Sequence, residues 1–278
     1  MLAVAGLSAR MLAEAAVRDG FEAIALDVFG DVDTCAVAAR WWPIGLPGEF
    51  SIHPEKLLGT LERLAQRGDL QGWVAGSGFE AAPGLLERGA GLLPLIGNSA
   101  QAIDAVRDPK RFFAALAALG IPFPPLADSM PPQPRGWLLK SATSSGGSAV
   151  QALELLPAAA RERALRAPGS YLQQQAPGLP LSATFIADGH AARLIGCNRQ
   201  LTSAAGSRPY RFSGLLGPLA LPAPVQQRIG DWCSRLAGEF GLRGLASLDL
   251  MQHGDELAVL EINPRVPASI ALYPRLPL

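Results

Sequence analysis

Apolar residues fall in short blocks along the chain, and their spacing shifts between a strand period of two and a helix period near 3.6. Met1–Ala5 is continuous enough for a buried strand. Gly6-Leu7-Ser8 turns, and Ala9–Asp19 has helical spacing with Gly20 just past its end. Glu22–Val28 reads as a second strand, ending at Asp27. Leu57–Gln66 predicts a helix and Gly72–Ala75 a short strand. A strand–helix–strand start implies a parallel α/β layer, which Pro94–Asn98 closes. Asp108 as N-cap, Pro109 at the first helical position and Gly120 near the far end frame a helix through Leu119. Ala127–Arg135 is a proline-rich connector, and Gly136–Lys140 a strand. Leu181–Ala187 and Ala192–Gly196 form a hairpin around Asp188-Gly189. Ala204–Gly217, glycine-containing with Arg208, Tyr210 and Arg211, reads as a loop, either covering a substrate or lying on the surface. Gln226–Gly241 puts Ile229, Trp232, Leu236 and Phe240 on one helical face.

The final blocks break the pattern in an informative way. From Gly244 to Ser269, two apolar runs flank a polar turn, Gln252 to Glu256, which signals a hairpin. Each run carries an acid where an aliphatic residue is expected: Asp249 between Leu248 and Leu250, Glu261 between Leu260 and Ile262. Strand period puts Ser247, Asp249 and Met251 on one face, and Val259, Glu261 and Asn263 on one face of the partner. An odd-length turn would join those faces, with the two acids opposite or diagonal, roughly 5–8 Å apart. Two carboxylates and an amide oxygen on a half-buried face are costly unless they share a cation. Hard oxygen donors of this kind suit Mg²⁺. Asn263-Pro264-Arg265 then stops the strand and sets a guanidinium beside the proposed metal.

Composition narrows the classes. The 278 residues suffice for two or three small cored lobes. Formal net charge is zero and 17% of residues are charged, so no basic field invites nucleic acid. Cys35, Cys197 and Cys233 share no metal or redox spacing, which suits a reducing cytosol. The expected setting is cytoplasmic: the apolar start is too short for a signal peptide, and no apolar run nears the ~20 residues that span a bilayer. His53, His190 and His253 have no ligand spacing, and no serine, zinc or Cys/His hydrolase motif occurs. Asp27, Asp31 and Asp33 offer a metal cluster or, more simply, the acids of a turn.

Only three lysines occur among 24 basic residues, Lys56, Lys110 and Lys140. Lys110 lies in the first turn of its helix, where a cation opposes the dipole unless an anion is near. Lys140 ends a strand and precedes S-A-T-S-S-G-G-S, residues 141–148. Such small residues let backbone N–H groups wrap a phosphate, with Lys140 as point charge. The lysine precedes the glycines, so this is not a Walker A loop.

The run from Asp249 through E-I-N-P-R, ending at Arg265, with small residues to Ser269, resembles the C-terminal signature of the ATP-grasp superfamily of carboxylate–amine ligases. D-P-K-R-F-F-A-A-L-A-A-L-G-I-P-F-P from Asp108 resembles the family's first ATP lysine with its helix and exit. Lys140 and its loop resemble the strand–lysine–glycine element. Tyr171–Gly178 resembles the hinge that cups adenine, although Pro180 stands where the family commonly has a ribose acid. The resemblance implies an α/β protein: a Rossmann-like lobe over residues 1–97 that helps position a carboxylate, then a two-lobed α+β ATP-grasp module over 98–278, divided into 98–176 and a metal-binding lobe 177–278. It implies ATP held by Lys110, Lys140, Ser145, Gly146, Gly147, Gln173, Gln174, Gln175 and Ala176. Mg²⁺ or Mn²⁺ falls to Asp249, Glu261 and Asn263. Lys140 and Arg265 are the implied catalytic residues, and Arg265, Ser269 and Gln200 the substrate contacts.

G-S-G-F-E at Gly76, N-R-Q-L-T at Asn198 and E-I-N-P-R-x-x-x-S resemble a subgroup that includes tyramine–glutamate ligase of methanofuran biosynthesis. That implies glutamate joined to an aromatic amine, with small-molecule partners, no nucleic acid or membrane, and a homodimer. Two alternatives stand beside it: a ligase of another amino acid or biosynthetic carboxylate, and a nucleotide-binding regulatory subunit without turnover.

Overall fold

The computed structural model describes every residue except 81, 143–145, 148, 206, 207 and 274–278, and omits the side chains of Ala205 and Arg208. Three sheets follow one another along the chain. The first is built from β1 (Leu2–Ala5), β2 (Ala23–Asp27), β3 (Arg40–Pro43) and β4 (Trp73–Ala75), all parallel, in the order β3-β2-β1-β4. Parallel strands need both faces covered. Leu12, Ala13 and Ala16 of α1 (Arg10–Arg18) cover one face. Leu57, Leu61 and Leu64 of α3 (Pro54–Ala65) and Leu85 and Leu86 of α4 (Pro83–Ala90) cover the other. Between β2 and β3 lies α2 (Val32–Val37), a short helix absent from the sequence pattern.

The acids after β2 are turn acids. Asp27 is fully buried and accepts from the N–H groups of Ala9, Phe29 and Gly30 and from Trp41 Nε1. Asp31 caps α2 through Thr34 N, and Asp33 pairs with Arg10. Among the described residues no group of three or more His, Cys, Asp or Glu could hold a metal.

Next come α5 (Ala100–Arg107) and α6 (Pro109–Ala118), hinged at Asp108, whose carboxylate accepts from Lys110 N and Arg111 N. A four-stranded antiparallel sheet follows: β5 (Leu126–Ala127), β6 (Trp137–Ser141), β7 (Gln151–Ala152) and β8 (Ser170–Gln174), in the order β5-β8-β6-β7, with α7 (Ala158–Leu165) entering β8. The third sheet is also antiparallel, ordered β11-β10-β9-β12-β13. Its strands are β9 (Leu179–Asp188), β10 (Ala192–Ala205), β11 (Arg208–Leu216), β12 (Arg243–His253) and β13 (Glu256–Asn263). The expected loop at Ala204–Gly217 is therefore mostly paired strand: β10 runs on past Gly196, and β11 returns alongside it. The long α8 (Ala223–Phe240) packs Ile229, Trp232 and Leu236 onto the apolar face of this sheet, against Phe185, Leu248 and Val259. Gly241 ends it in the left-handed conformation at φ 62°, which glycine adopts without cost.

One side chain ties the first sheet's unit to the third sheet. Asn98 is buried, donates Nδ2 to Pro264 O at 3.0 Å and accepts from Arg243 N at 2.8 Å. It thus joins the end of the first unit to both strands of the last hairpin. Among the described residues no helix is long and apolar enough to cross a membrane.

The largest core lies between α8 and the third sheet. Leu248→Ala, fully buried there, is expected to cost ~2–5 kcal/mol. Val32→Ala, 82% exposed, should stay within ~0.5 kcal/mol. Urea unfolding midpoints of the two variants test the contrast.

Candidate active site

The two acids meet because of a bulge, not because of the turn. β12 and β13 join through Gly254 and Asp255, a turn of two residues between paired His253 and Glu256. With an even turn and regular pairing, Asp249 would face Leu260, and Glu261 would point into the core. One extra residue, Leu260, bulges between Val259 and Glu261, so Leu250 pairs with Val259 while Asp249 pairs with Glu261. The expected odd-length turn is thereby replaced by a register shift within the strand. Val259, expected on the acidic face, instead lies in the core at 0% exposure.

On its other side β12 pairs with β9, and Asp249 is opposite Ser182. Ser182, Gln200, Ser247, Asp249, Met251, Glu261 and Asn263 form one polar wall of a cavity of about 410 Å³. The facing wall comes from the second sheet. Leu139 and Leu172 turn to that sheet's own small core, leaving Leu138, Lys140 and Gln173 toward the cavity. Gly146 and Gly147 close one side, both with left-handed φ, 63° and 68°. A side chain at Gly147 would collide with the Tyr210 backbone, and Phe212 N donates to Gly146 O at 3.0 Å. Only glycine lets this loop seat against β11.

Electrostatics mark the polar wall as a place awaiting positive charge. Burial, then the adjacent Glu261 carboxylate, push the Asp249 carboxyl up to about 6; Gln200, Ser182 and Arg265 offset this only in part. Asp249 Oδ2 accepts from Asn263 Nδ2 at 3.0 Å, which leaves the Asn263 carbonyl oxygen for another partner. Asp249 Oδ1 is buried without a hydrogen-bond partner among the described residues. Across the cavity, burial works against the Lys140 ammonium. Tyr171, Glu261 and Asp249 outweigh it and hold its pKa above the ordinary lysine value. Lys140 Nζ donates to Gln173 Oε1 at 3.1 Å. Two carboxylates and an amide oxygen, one carboxylate oxygen orphaned, fit a hard divalent cation that shares its remaining positions with phosphate or water.

Arg265 is held at one edge. Its Nε donates to Glu80, whose other oxygen accepts from Gly78 N at 2.7 Å, and its Nη1 lies 3.4 Å from Val266 O. No described partner engages Nη2, and the side chain lines the cavity. Glu80 thus reaches from the loop after β4 to orient the guanidinium. The sequence displays that loop as G-S-G-F-E but gives no sign that its glutamate meets residue 265.

Most of the expected site residues converge on this cavity: Lys140, Gly146, Gly147, Gln173, Gln174, Gln175, Ala176, Gln200, Asp249, Glu261, Asn263, Arg265 and Ser269 all line it. Ser145 lies outside the described residues. Lys110 does not come in; it is exposed on the first turn of α6 and absent from the lining. Arg107, the last residue of α5, is likewise absent from this lining but lies beside the glycine loop. It donates to Ala142 O at the root of the glycine loop and lines a small cavity of about 30 Å³ whose wall includes Glu261 and Tyr171. Pro180, at the expected ribose position, is part of the main cavity wall.

The ATP-grasp domain family matches residues 106–269 of the chain. A carbamoyl phosphate synthase large chain from Thermus thermophilus is 27% identical over 277 residues, covering 90% of this chain and 25% of its own length. The chain therefore spans about a quarter of that curated relative. N5-carboxyaminoimidazole ribonucleotide synthetase, also from Thermus thermophilus, superposes with a TM-score of 0.71 at 21% identity, covering 98% of this chain and 73% of that one. The biotin carboxylase domain dimer of Hydrogenobacter thermophilus 2-oxoglutarate carboxylase, with MgADP and bicarbonate, gives 0.75 at 15% identity, covering 97% and 65%. The two solved structures share the fold.

The Glu80–Arg265 pair yields a pH signature. Burial raises the Glu80 carboxyl, but Arg265 and the Gly78 N–H outweigh it, so its pKa lies below the ordinary glutamate value. A carboxyl depressed in the folded state stabilises above its unfolded pKa, about 4.3, and loses that contribution as pH falls through the folded value. Glu80→Gln is therefore expected to cost ~1–3 kcal/mol at pH 7. The difference from the native chain should shrink below about pH 4, as read by urea unfolding across pH.

Proposed function

The chain belongs to the ATP-grasp domain family, and from that premise we propose that it is an ATP-dependent carboxylate–amine ligase using Mg²⁺ or Mn²⁺. The observation that carries the reading is the direct pairing of Asp249 with Glu261 beside Asn263, on the wall opposite Lys140 and the glycine loop. On this reading residues 1–97 help hold the carboxylate, 98–176 carry the glycine loop, and 177–278 carry the metal ligands.

In the proposed reaction a carboxylate oxygen attacks the γ-phosphorus of ATP, releasing ADP, and an amine then displaces phosphate from the acyl phosphate to give an amide. Asp249, Glu261 and Asn263 would hold the metal, which when bound neutralises phosphate charge. Lys140 keeps its charge inside a buried site and meets the phosphates without reorganising. Backbone N–H groups of Gly146 and Gly147 add donors. Arg107 takes the second cationic role in place of Lys110. Arg265, its Nε fixed by Glu80, offers its outer edge to the acyl phosphate. Enclosure between two sheets keeps water from the activated acyl group. For substrates we propose glutamate with tyramine or a related aromatic amine, in the making of a one-carbon carrier; the G-S-G-F-E, N-R-Q-L-T and E-I-N-P-R segments support it.

A second reading, a nucleotide-binding subunit without turnover, draws on Pro180 at the ribose position and on the exposed Lys110. ADP release and product mass spectrometry with Mg-ATP and a panel of carboxylates and amines separate the two. A ligase yields an amide with stoichiometric ADP, and Glu261→Ala lowers turnover by about 10²–10³. A subunit of the second kind binds nucleotide and releases none across the panel. Arg107→Ala should weaken MgADP binding about tenfold, and Lys110→Ala by less than about twofold, in calorimetric titrations. Equal losses would return the role to Lys110.

A further inference from the structure

Beneath the polar wall runs a line of hydrogen bonds that the proposed chemistry leaves unused. Tyr273 donates its hydroxyl to Asn198 Oδ1 at 2.9 Å. Asn198, at 0% exposure, donates Nδ2 to Ser182 O and to Thr184 Oγ1, both at 3.4 Å. Thr184 Oγ1 lies 2.5 Å from Ser269 Oγ. Thr184 and Ser269 are 0% and 1% exposed, yet Ser269 lines the cavity.

The line has a direction. A backbone carbonyl can only accept, so Ser182 O fixes the Asn198 amide with its NH₂ toward Ser182 and Thr184. Its oxygen then faces Tyr273, whose hydroxyl burial keeps protonated by raising its pKa. Thr184 Oγ1 receives one amide proton and has one proton of its own to give. Among the described residues the one acceptor bonded to it is Ser269 Oγ. Ser269 therefore accepts from Thr184, and its own proton is left to point into the cavity. The arrangement is sterically carved. A Cβ at Gly196 would strike the Tyr273 ring, and one at Gly217 would strike the Asn198 side chain.

We propose that Tyr273, Asn198 and Thr184 are positioning residues that hold the Ser269 hydroxyl as a donor aimed at an anionic oxygen of the bound carboxylate or acyl phosphate. The inference rests on the ligase reading for the identity of that anion, but not for the donor's direction.

The test uses inorganic phosphate and L-glutamate as probes, titrated calorimetrically against the full chain with and without MgADP. Loss of one hydrogen bond to an anion should weaken the probe that binds by about tenfold in Ser269→Ala. Thr184→Val, nearly isosteric, should lose about three- to tenfold, Thr184→Ser should restore binding to within about twofold, and Tyr273→Phe should lose about threefold. The Ser269→Ala/Thr184→Val double variant should be no weaker than Ser269→Ala alone, because both act through one donor. MgADP affinity should be unchanged throughout, which general loosening of the wall would not spare. The proposal is overturned if Thr184→Val leaves probe binding intact, if the two losses multiply, or if neither probe binds the native chain. Failure of MgADP to bind would instead remove the ligase reading, and the titrations without nucleotide would still read the donor.

Discussion

Two carboxylates held side by side, one buried and one half-buried, repel each other, and the molecule is arranged around that repulsion. Asp249 shows it most directly: burial and Glu261 drive its pKa upward, and one of its oxygens has no hydrogen-bond partner among the described residues. A fold that kept this pair for stability alone would be poorly served, because buried charge without a partner is among the costliest features of an interior. The offset comes from elsewhere in the chain. Tyr171 and then the same two acids outweigh what burial costs Lys140, so its ammonium keeps its proton on the wall facing them. A divalent cation, on the proposed reading, completes a balance that the apo residues leave open.

That balance requires positions fixed to within hydrogen-bonding distances on elements far apart in sequence. The bulge at Leu260 sets the first, turning Glu261 out of the core and onto the face of Asp249. Gly147 seated on β11 sets the second by docking the loop of one sheet against a strand of another. Glu80 and Asn98 set the third and fourth, by reaching from the N-terminal unit to Arg265 and to the ends of the last hairpin. The bulge lies within the third sheet, and the other three are polar contacts at boundaries between sheets. Such boundaries favour small relative motions of rigid layers, which on the proposed reading suits a cavity that must admit substrates and then shut out water.

The sequence made the local elements legible where one rule acts alone. Asp108-Pro109 announces α6, Gly241 ends α8, and the alternation of Ser247, Asp249 and Met251 marks the polar face of β12. It failed where two rules compete. The β12–β13 turn is even, so regular alternation would separate the acids; only a bulge, which has no composition of its own here, restores their pairing. Residues 204–217 contain glycine and arginine and look irregular, yet pairing with β10 carries most of them as strand, because partners decide strand more than propensity does. Lys110 drew attention as a rare lysine in a first helical turn, but periodicity does not say which way that turn faces. Arg107, three residues earlier and on the preceding helix, lies at the glycine loop only through the angle between α5 and α6, which no local signal encodes.

The missing ribose acid follows from the same wall. β12 and β9 pair Met251 with Pro180, and both line the cavity. Pro180 has no donor to give and Met251 a polarizable thioether, so this end of the cavity offers contact area more than hydrogen bonds. Gln173 cannot easily compensate, since its oxygen is already committed to Lys140; only its buried Nε2 is unpartnered among the described residues. On the proposed reading, then, the sugar is held by shape, the base edge by one amide and backbone of the hinge, and the phosphates by Lys140, the glycine loop and the metal pair. Discrimination among nucleotides should be weak relative to the dependence on charge, because the groups that read identity are few and those that read phosphate are many.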